Sequence, residues 1–239
     1  MSRNQNLLSE LLCFKRCRIS VPTVSEQLFE KLCSFRGVEY VRIPEGQSKT
    51  ADYEVSLGCT KLIIEVKQLD PSAADKQLEK KWGHKDSPVV IAPSDRVQRI
   101  LADAYPQVRA LSNGAKPTMV VIYNNSGEWN WIDSFTISKA MFGLFGFRIG
   151  PNDKGTIVVA GQGYMGKRKV TKESFRALSV VAAMKNSGLD EPHLDAYHNP
   201  FATVPIRPDI LSLLATAQFV HPNPHKRGVV GWEPKAIKT

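Results

Sequence analysis

The segment "DYEVSLGCTKLIIEVK", residues 52–67, constrains the fold more than any other stretch of the chain. Apolar and polar residues alternate on both sides of Gly58-Cys59, and glycine in the first place of a two-residue turn suits the type II′ geometry that hairpins favour. That turn sets Leu57 opposite Thr60, and the register of two strands follows from it. With a side-chain period of two, Tyr53, Val55, Leu57, Leu62, Ile64 and Val66 share an apolar face. Asp52, Glu54, Ser56, Lys61, Ile63, Glu65 and Lys67 share the other. Asp52 then faces Glu65, with Cβ atoms about 5 Å apart. Two carboxylates at that spacing repel, and one takes a raised pKa unless a cation joins them. Mg²⁺ takes carboxylates, waters and phosphate oxygens in octahedral geometry, and Lys67 would stand beside such an ion. A second account fits equally well on geometry alone, in which Lys67 neutralises the pair on a solvated sheet face.

The flanking sequence predicts a helix over 23–36, opened by Pro22 with Thr23 or Ser25 and stopped at Gly37. Val24, Leu28, Leu32 and Phe35 are expected on its buried face, widened by Phe29 and Cys33. "VEYVRI" (38–43) reads as a strand. "SDRVQRILADAYPQVRALSNG" (94–114) reads as a helix with Ser94 as N-cap, Asn113-Gly114 as stop and Pro106 as a kink or break. "PTMVVIYNN" (117–125) is expected to be a buried strand. The order is αββ, then α, then β, with helices and strands alternating around one sheet. Beyond residue 126, "KGTIVVAG" reads as a strand, "SFRALSVVAAMKN" as helix or strand, "PDILSLLATAQFV" as a helix, and "AYHNPFATVP" as a strand entering a turn. No linker divides the chain, so it is taken as one domain over 1–239, with a core at 23–125 and a C-terminal extension at 126–239.

At 239 residues with 42% hydrophobic content, the chain can bury a full core. No stretch reaches the roughly 20 apolar residues of a membrane span. The N-terminal residues lack the apolar run of a signal peptide, so the expected compartment is the cytoplasm. Cys13, Cys17, Cys33 and Cys59 lack CxxC or HxxxH partners and read as buried free thiols. The net charge of +9 is compatible with a polyanionic partner. Lysines cluster at Lys76, Lys80, Lys81 and Lys85, and again at Lys167, Arg168 and Lys169. Arg96, Gln98, Arg99, Gln107 and Arg109 could add phosphate contacts from the second helix, although a solvated helix face explains them as well.

The order helix, strand, then Asp52, twelve residues and Glu65-Val66-Lys67 resembles the PD-(D/E)XK nuclease superfamily, which includes restriction endonucleases and Holliday-junction resolvases. The chain departs from the pattern at Ala51, where the family often has proline. The resemblance implies a restriction-endonuclease-like αβββαβ core with a mixed central sheet flanked by helices. It implies a Mg²⁺-dependent deoxyribonuclease, with Mn²⁺ able to substitute. Asp52, Glu65 and the Val66 carbonyl would hold the metal, Lys67 would serve the attacking water, and Glu26 would be the helix carboxylate, with Glu30 as the other choice. DNA is then the expected partner, no membrane is involved, and cutting both strands of a duplex favours a homodimer. Two other classes stay open: a non-cleaving nucleic-acid-binding or assembly module on such a fold, and an unrelated α/β protein with a coincidental charged hairpin.

Overall fold

The computed structural model of the chain describes residues 22–44, 49–82, 90–91, 94–125, 130–186, 191–222 and 232–235. Helix α1 (Val24–Phe35) leads into strand β1 (Glu39–Arg42) and the hairpin of β2 (Tyr53–Leu57) and β3 (Thr60–Leu69). Helix α2 (Ala73–Trp82), short strand β4 (Val90–Ile91) and helix α3 (Ser94–Ser112) precede β5 (Thr118–Asn124). Then follow β6 (Asn130–Trp131), α4 (Ser134–Phe142), and the strand pair β7 (Leu144–Pro151) and β8 (Ile157–Met165). The chain closes with β9 (Val180–Asn186), β10 (Pro192–His198), α5 (Pro208–Leu211), β11 (Ala217–Val220) and β12 (Glu233–Lys235).

Eight strands form one mixed sheet in the order β1-β2-β3-β5-β9-β10-β11-β12. β1, β2 and β3 form an antiparallel meander, and β5 and then β9 add in parallel to β3. The hairpin register is the expected one, with Leu57 opposite Thr60 and Tyr53 opposite Ile64. Gly58 has φ +59°, and Cys59 is not among the residues with positive φ, which is the type II′ pattern. The same sheet continues into β9–β12, so the C-terminal half extends the sheet of the core.

Both faces of the sheet are buried. On one, Tyr53, Val55, Leu62 and Ile64 pack with Phe29, Leu32 and Cys33 of α1. On the other, Ile63, Val120 and Ile122 pack with Val97, Leu101, Ala104 and Val108 of α3. This second layer removes the solvated sheet face of the sequence reading: Glu65 lies beneath it at 0% exposure.

Several local expectations are corrected. The buried face of α1 is Ser25, Phe29, Leu32 and Cys33, whereas Val24 and Phe35 are 49% and 60% exposed. Positions 25, 29 and 32 form a single i, i+4, i+7 stripe, which rotates the helix away from Val24 and Phe35. Pro106 lies inside α3 without ending it; Asn113 and Gly114, at φ +47° and +68°, do so. "PDILSLLATAQFV" is not one helix: it gives the single-turn α5 and then strand β11, parallel to β10. Cys33 is buried as expected, with its thiol pushed up to about 12 by burial and the nearby Glu30 charge, but Cys59 is exposed on the hairpin turn. Cys13 and Cys17 lie outside the described residues.

Candidate functional site

The site forms where β2 ends and β3 runs on. The regular ladder stops at Tyr53 opposite Ile64, and the chain bends at Asp52. The Asp52 N–H still donates to the Ile64 carbonyl at 3.1 Å. The Asp52 carboxylate turns across the strand end and accepts from the Val66 N–H at 2.7 Å. N–H and C=O of one strand residue leave on the same edge, so the Val66 carbonyl points to the edge where Asp52 sits.

Glu65 is fixed by alternation on the α3 face, beside Val120 of β5. Its Oε1 makes an ion pair with Lys67 Nζ, and both carboxylate oxygens are buried. Burial first, and then the Asp52 charge, push its pKa up to about 7, against the pull of Lys67. Asp52 is raised as well, by burial and the Glu26 charge, while the Val66 N–H, Lys67 and Arg42 act the other way. Each acid thus disfavours ionisation of the other, and burial acts on both in the same direction.

The N-terminus of α1 closes the same edge, because the Ser25 N–H donates to Gln68 Oε1 at 3.2 Å. Glu26 is near enough to act on Asp52 electrostatically. Its carboxylate is engaged in a capping box, accepting from the Thr23 hydroxyl at 2.9 Å, and it lies 3.7 Å from Arg42 Nη2. Glu30 is committed elsewhere, to Arg42 at 3.0 Å and the Tyr53 hydroxyl at 2.8 Å. Of the two helix carboxylates, Glu26 is therefore the one coupled to the acid pair. Among the described residues no group of three His, Cys, Asp or Glu side chains is close enough to hold one ion. The oxygens that could meet a cation here are the Asp52 and Glu65 carboxylates and the Val66 carbonyl. An oxygen-only set with a buried carboxylate fits a hard cation that keeps several waters.

The expected phosphate contacts divide. Arg96 is spent inside the protein, donating to Asp75 at 2.9 Å and to the Asp70 carbonyl at the end of β3. Gln107 is buried, and its amide donates to the Asp103 carbonyl one turn back at 3.1 Å, so it offers no surface to a phosphate. Arg99 is exposed, as are Lys76 and Lys80 on α2, the helix that follows β3. Lys81 falls within α2, and Lys85 lies outside the described residues. Lys167 and Arg168 are exposed and Lys169 half-buried in the loop after β8. Gln98 ties this loop to α3 by donating to the Lys167 carbonyl at 3.2 Å. Arg96, two residues earlier, holds the end of β3, so the basic loop and the acid-bearing strand are anchored to the same end of α3.

Sequence reasoning missed the clamp on that strand end. The Asp70 carboxylate accepts from Gln68 at 2.7 Å and Asn125 at 2.8 Å, which hold it below the usual carboxylate range. It also missed Arg42, although the β1–β2 register sets Arg42 opposite Tyr53, and a lone arginine on a strand beside a buried tyrosine was a legible signal.

The chain matches no family model, no curated protein and no solved structure. No described helix is long and apolar enough to cross a membrane. The functional reading therefore rests on the site itself.

Proposed function

We propose that the chain is a metal-dependent endonuclease that hydrolyses DNA phosphodiester bonds, on a core of the restriction-endonuclease-like kind. One observation carries the reading: the Asp52 carboxylate lies beside the buried Glu65 with Lys67 paired to Glu65. The order α1-β1-β2-β3-α3-β5, with an antiparallel meander and β5 parallel to β3, supports it. Bound Mg²⁺ or Mn²⁺ supplies a more acidic water and charge on the phosphoryl oxygens. Asp52 and Glu65 would hold the ion with the Val66 carbonyl, and the Val66 N–H fixes the Asp52 carboxylate. Lys67 orients the attacking water and offsets charge on the phosphate. Glu26 adds negative potential through Asp52.

The capping-box engagement of Glu26 favours a second reading, a non-cleaving nucleic-acid-binding module. Incubation of supercoiled plasmid and single-stranded DNA with Mg²⁺, Mn²⁺ or EDTA separates the two. The expected result is cleavage only with metal, reduced about 100-fold or more in Asp52→Ala and Lys67→Ala. Activity that survives either substitution overturns the mechanism, and binding without cleavage in every metal selects the module.

A further inference from the structure

Beside the basic loop lies a cavity of about 360 Å³ whose walls include Phe135, Phe145, Tyr164, Phe219 and Trp232, with Lys139 among them. Its size is that of a small-molecule site. The aromatic walls are held in place. Trp232 Nε1 donates to the Ser134 carbonyl at 3.0 Å, and Phe219 stacks on Tyr197 with ring centroids 4.9 Å apart. The Tyr164 hydroxyl is fixed between Ser138 Oγ and His221 Nε2, each at 2.9 Å. Phe135, at the mouth, is 53% exposed.

Lys139 lines the pocket, and the basic 167–169 loop is tied beside it. The Gln98 amide reaches the carbonyls of both Lys139 and Lys167, and Arg168 donates to the Tyr164 carbonyl. Arg168 also lies against the α4–β7 junction. There a Cβ on Gly143 would meet the Met165 carbonyl oxygen at 2.4 Å and Arg168 Cγ at 3.6 Å. Lys61, Lys67, Arg96, Lys116 and Lys185 are each paired with an acid, whereas Lys76, Lys80 and Arg99, like the loop cations, are in no ion pair among the described residues. Lys139, Lys167, Arg168 and Lys169 have no acidic partner among the described residues. A pocket with aromatic walls and cations beside it complements a planar ring that carries an anion.

The geometry points to a nucleotide site: the cavity takes one unstacked base of single-stranded DNA, and Lys139 with the 167–169 loop takes its phosphates. Stacking on aromatic side chains tolerates any base and requires that the base be free of its duplex partner. The inference rests on the nuclease reading and narrows its substrate class to DNA with an unpaired stretch. The pocket is anchored through Gln98 to the helix whose Arg96 holds the end of β3, the strand that carries Glu65 and Lys67.

The test is fluorescence anisotropy in EDTA, with labelled oligothymidylate, a duplex of equal length, and unlabelled thymidine monophosphate as competitor. Phe135→Ala and Lys139→Ala are compared with the unchanged chain, and circular dichroism checks that both fold. Phe135→Ala is expected to weaken single-strand binding about 5- to 100-fold, as loss of one stacked base does, and to change duplex binding less than about twofold. Equal weakening on both substrates, or none on either, overturns the inference. So does competition by the monophosphate as strong as that by the oligonucleotide, which marks a free-nucleotide site. Plasmid cleavage distinguishes the two readings: cleavage with a silent Phe135→Ala sinks the pocket alone. Phe135-dependent single-strand binding without cleavage sinks the nuclease reading and keeps the pocket.

Discussion

At the residue scale, Glu65 is a buried charge with one cation and one competing acid against it. Burial of a carboxylate without full compensation costs stability, and the cost depends on pH. The pKa of Glu65 rises from an unfolded value near 4.5 to about 7 in the fold, so the folded state binds the proton more tightly. Its contribution is therefore most favourable below about pH 4.5, declines as pH rises to about 7, and is flat above that. Glu65→Gln removes this slope. In chelator at pH 8, the variant is expected to be more stable than the parent by about 1–3 kcal/mol, and metal-dependent cleavage is expected to be lost. Lys67→Ala should act in the opposite direction on stability, because it strips Glu65 of its cation, and the loss should largely vanish when Glu65→Gln is combined with it. Urea denaturation of the four proteins across pH 4 to 9 measures both effects. A parallel pH profile for parent and Glu65→Gln would remove Glu65 as the source.

At the element scale, the β2–β3 hairpin holds the candidate site because its turn allows one register only. Gly58 adopts φ +59° with nothing within 4 Å of a built Cβ, so Gly58→Ala meets no clash and isolates the backbone cost, about 1–2 kcal/mol. Thr23→Ala removes one arm of the α1 capping box and should cost about 1 kcal/mol. Thermal unfolding checks both, and Thr23→Ala also releases the Glu26 carboxylate from the hydroxyl that holds it. This hairpin was legible in the sequence because local signals agree: a glycine turn and an alternation of apolar with mostly charged residues, broken only at Ile63. The rest was harder to read for physical reasons. "PDILSLLATAQFV" has helix-like apolar spacing, and only the long-range parallel pairing of β11 with β10 draws its second half into a strand. The burial of Glu65 was equally hidden, since α3, the helix that covers it, lies beyond two intervening elements, and a strand with Glu and Lys on one face looks solvent-exposed until that helix is in place. Arg96 and Gln107 read as a polar helix face, but α3 is buried on the side that carries Gln107.

At the scale of the whole molecule, the sheet joins near and far parts of the chain very differently. The β2–β3 pairing closes through two residues, whereas β9 reaches its place beside β5 only after residues 125–179 have made their excursion through α4 and the β7–β8 ribbon. Hairpins close in microseconds, while pairings across long loops bear a larger entropic cost and come later. Folding kinetics should show this asymmetry: Val55→Ala in β2 is expected to slow folding, with a φ-value above about 0.5, and Val181→Ala in β9 mainly to speed unfolding, with a φ-value below about 0.3. The reverse ranking in chevron measurements would reject that order. The two-residue turn at Gly58 thus has a meaning in time as well as in space. It brings two like charges together while the chain is still largely unformed, so the hairpin's electrostatic repulsion is met at the start of folding and the helical cover that makes it severe arrives afterwards.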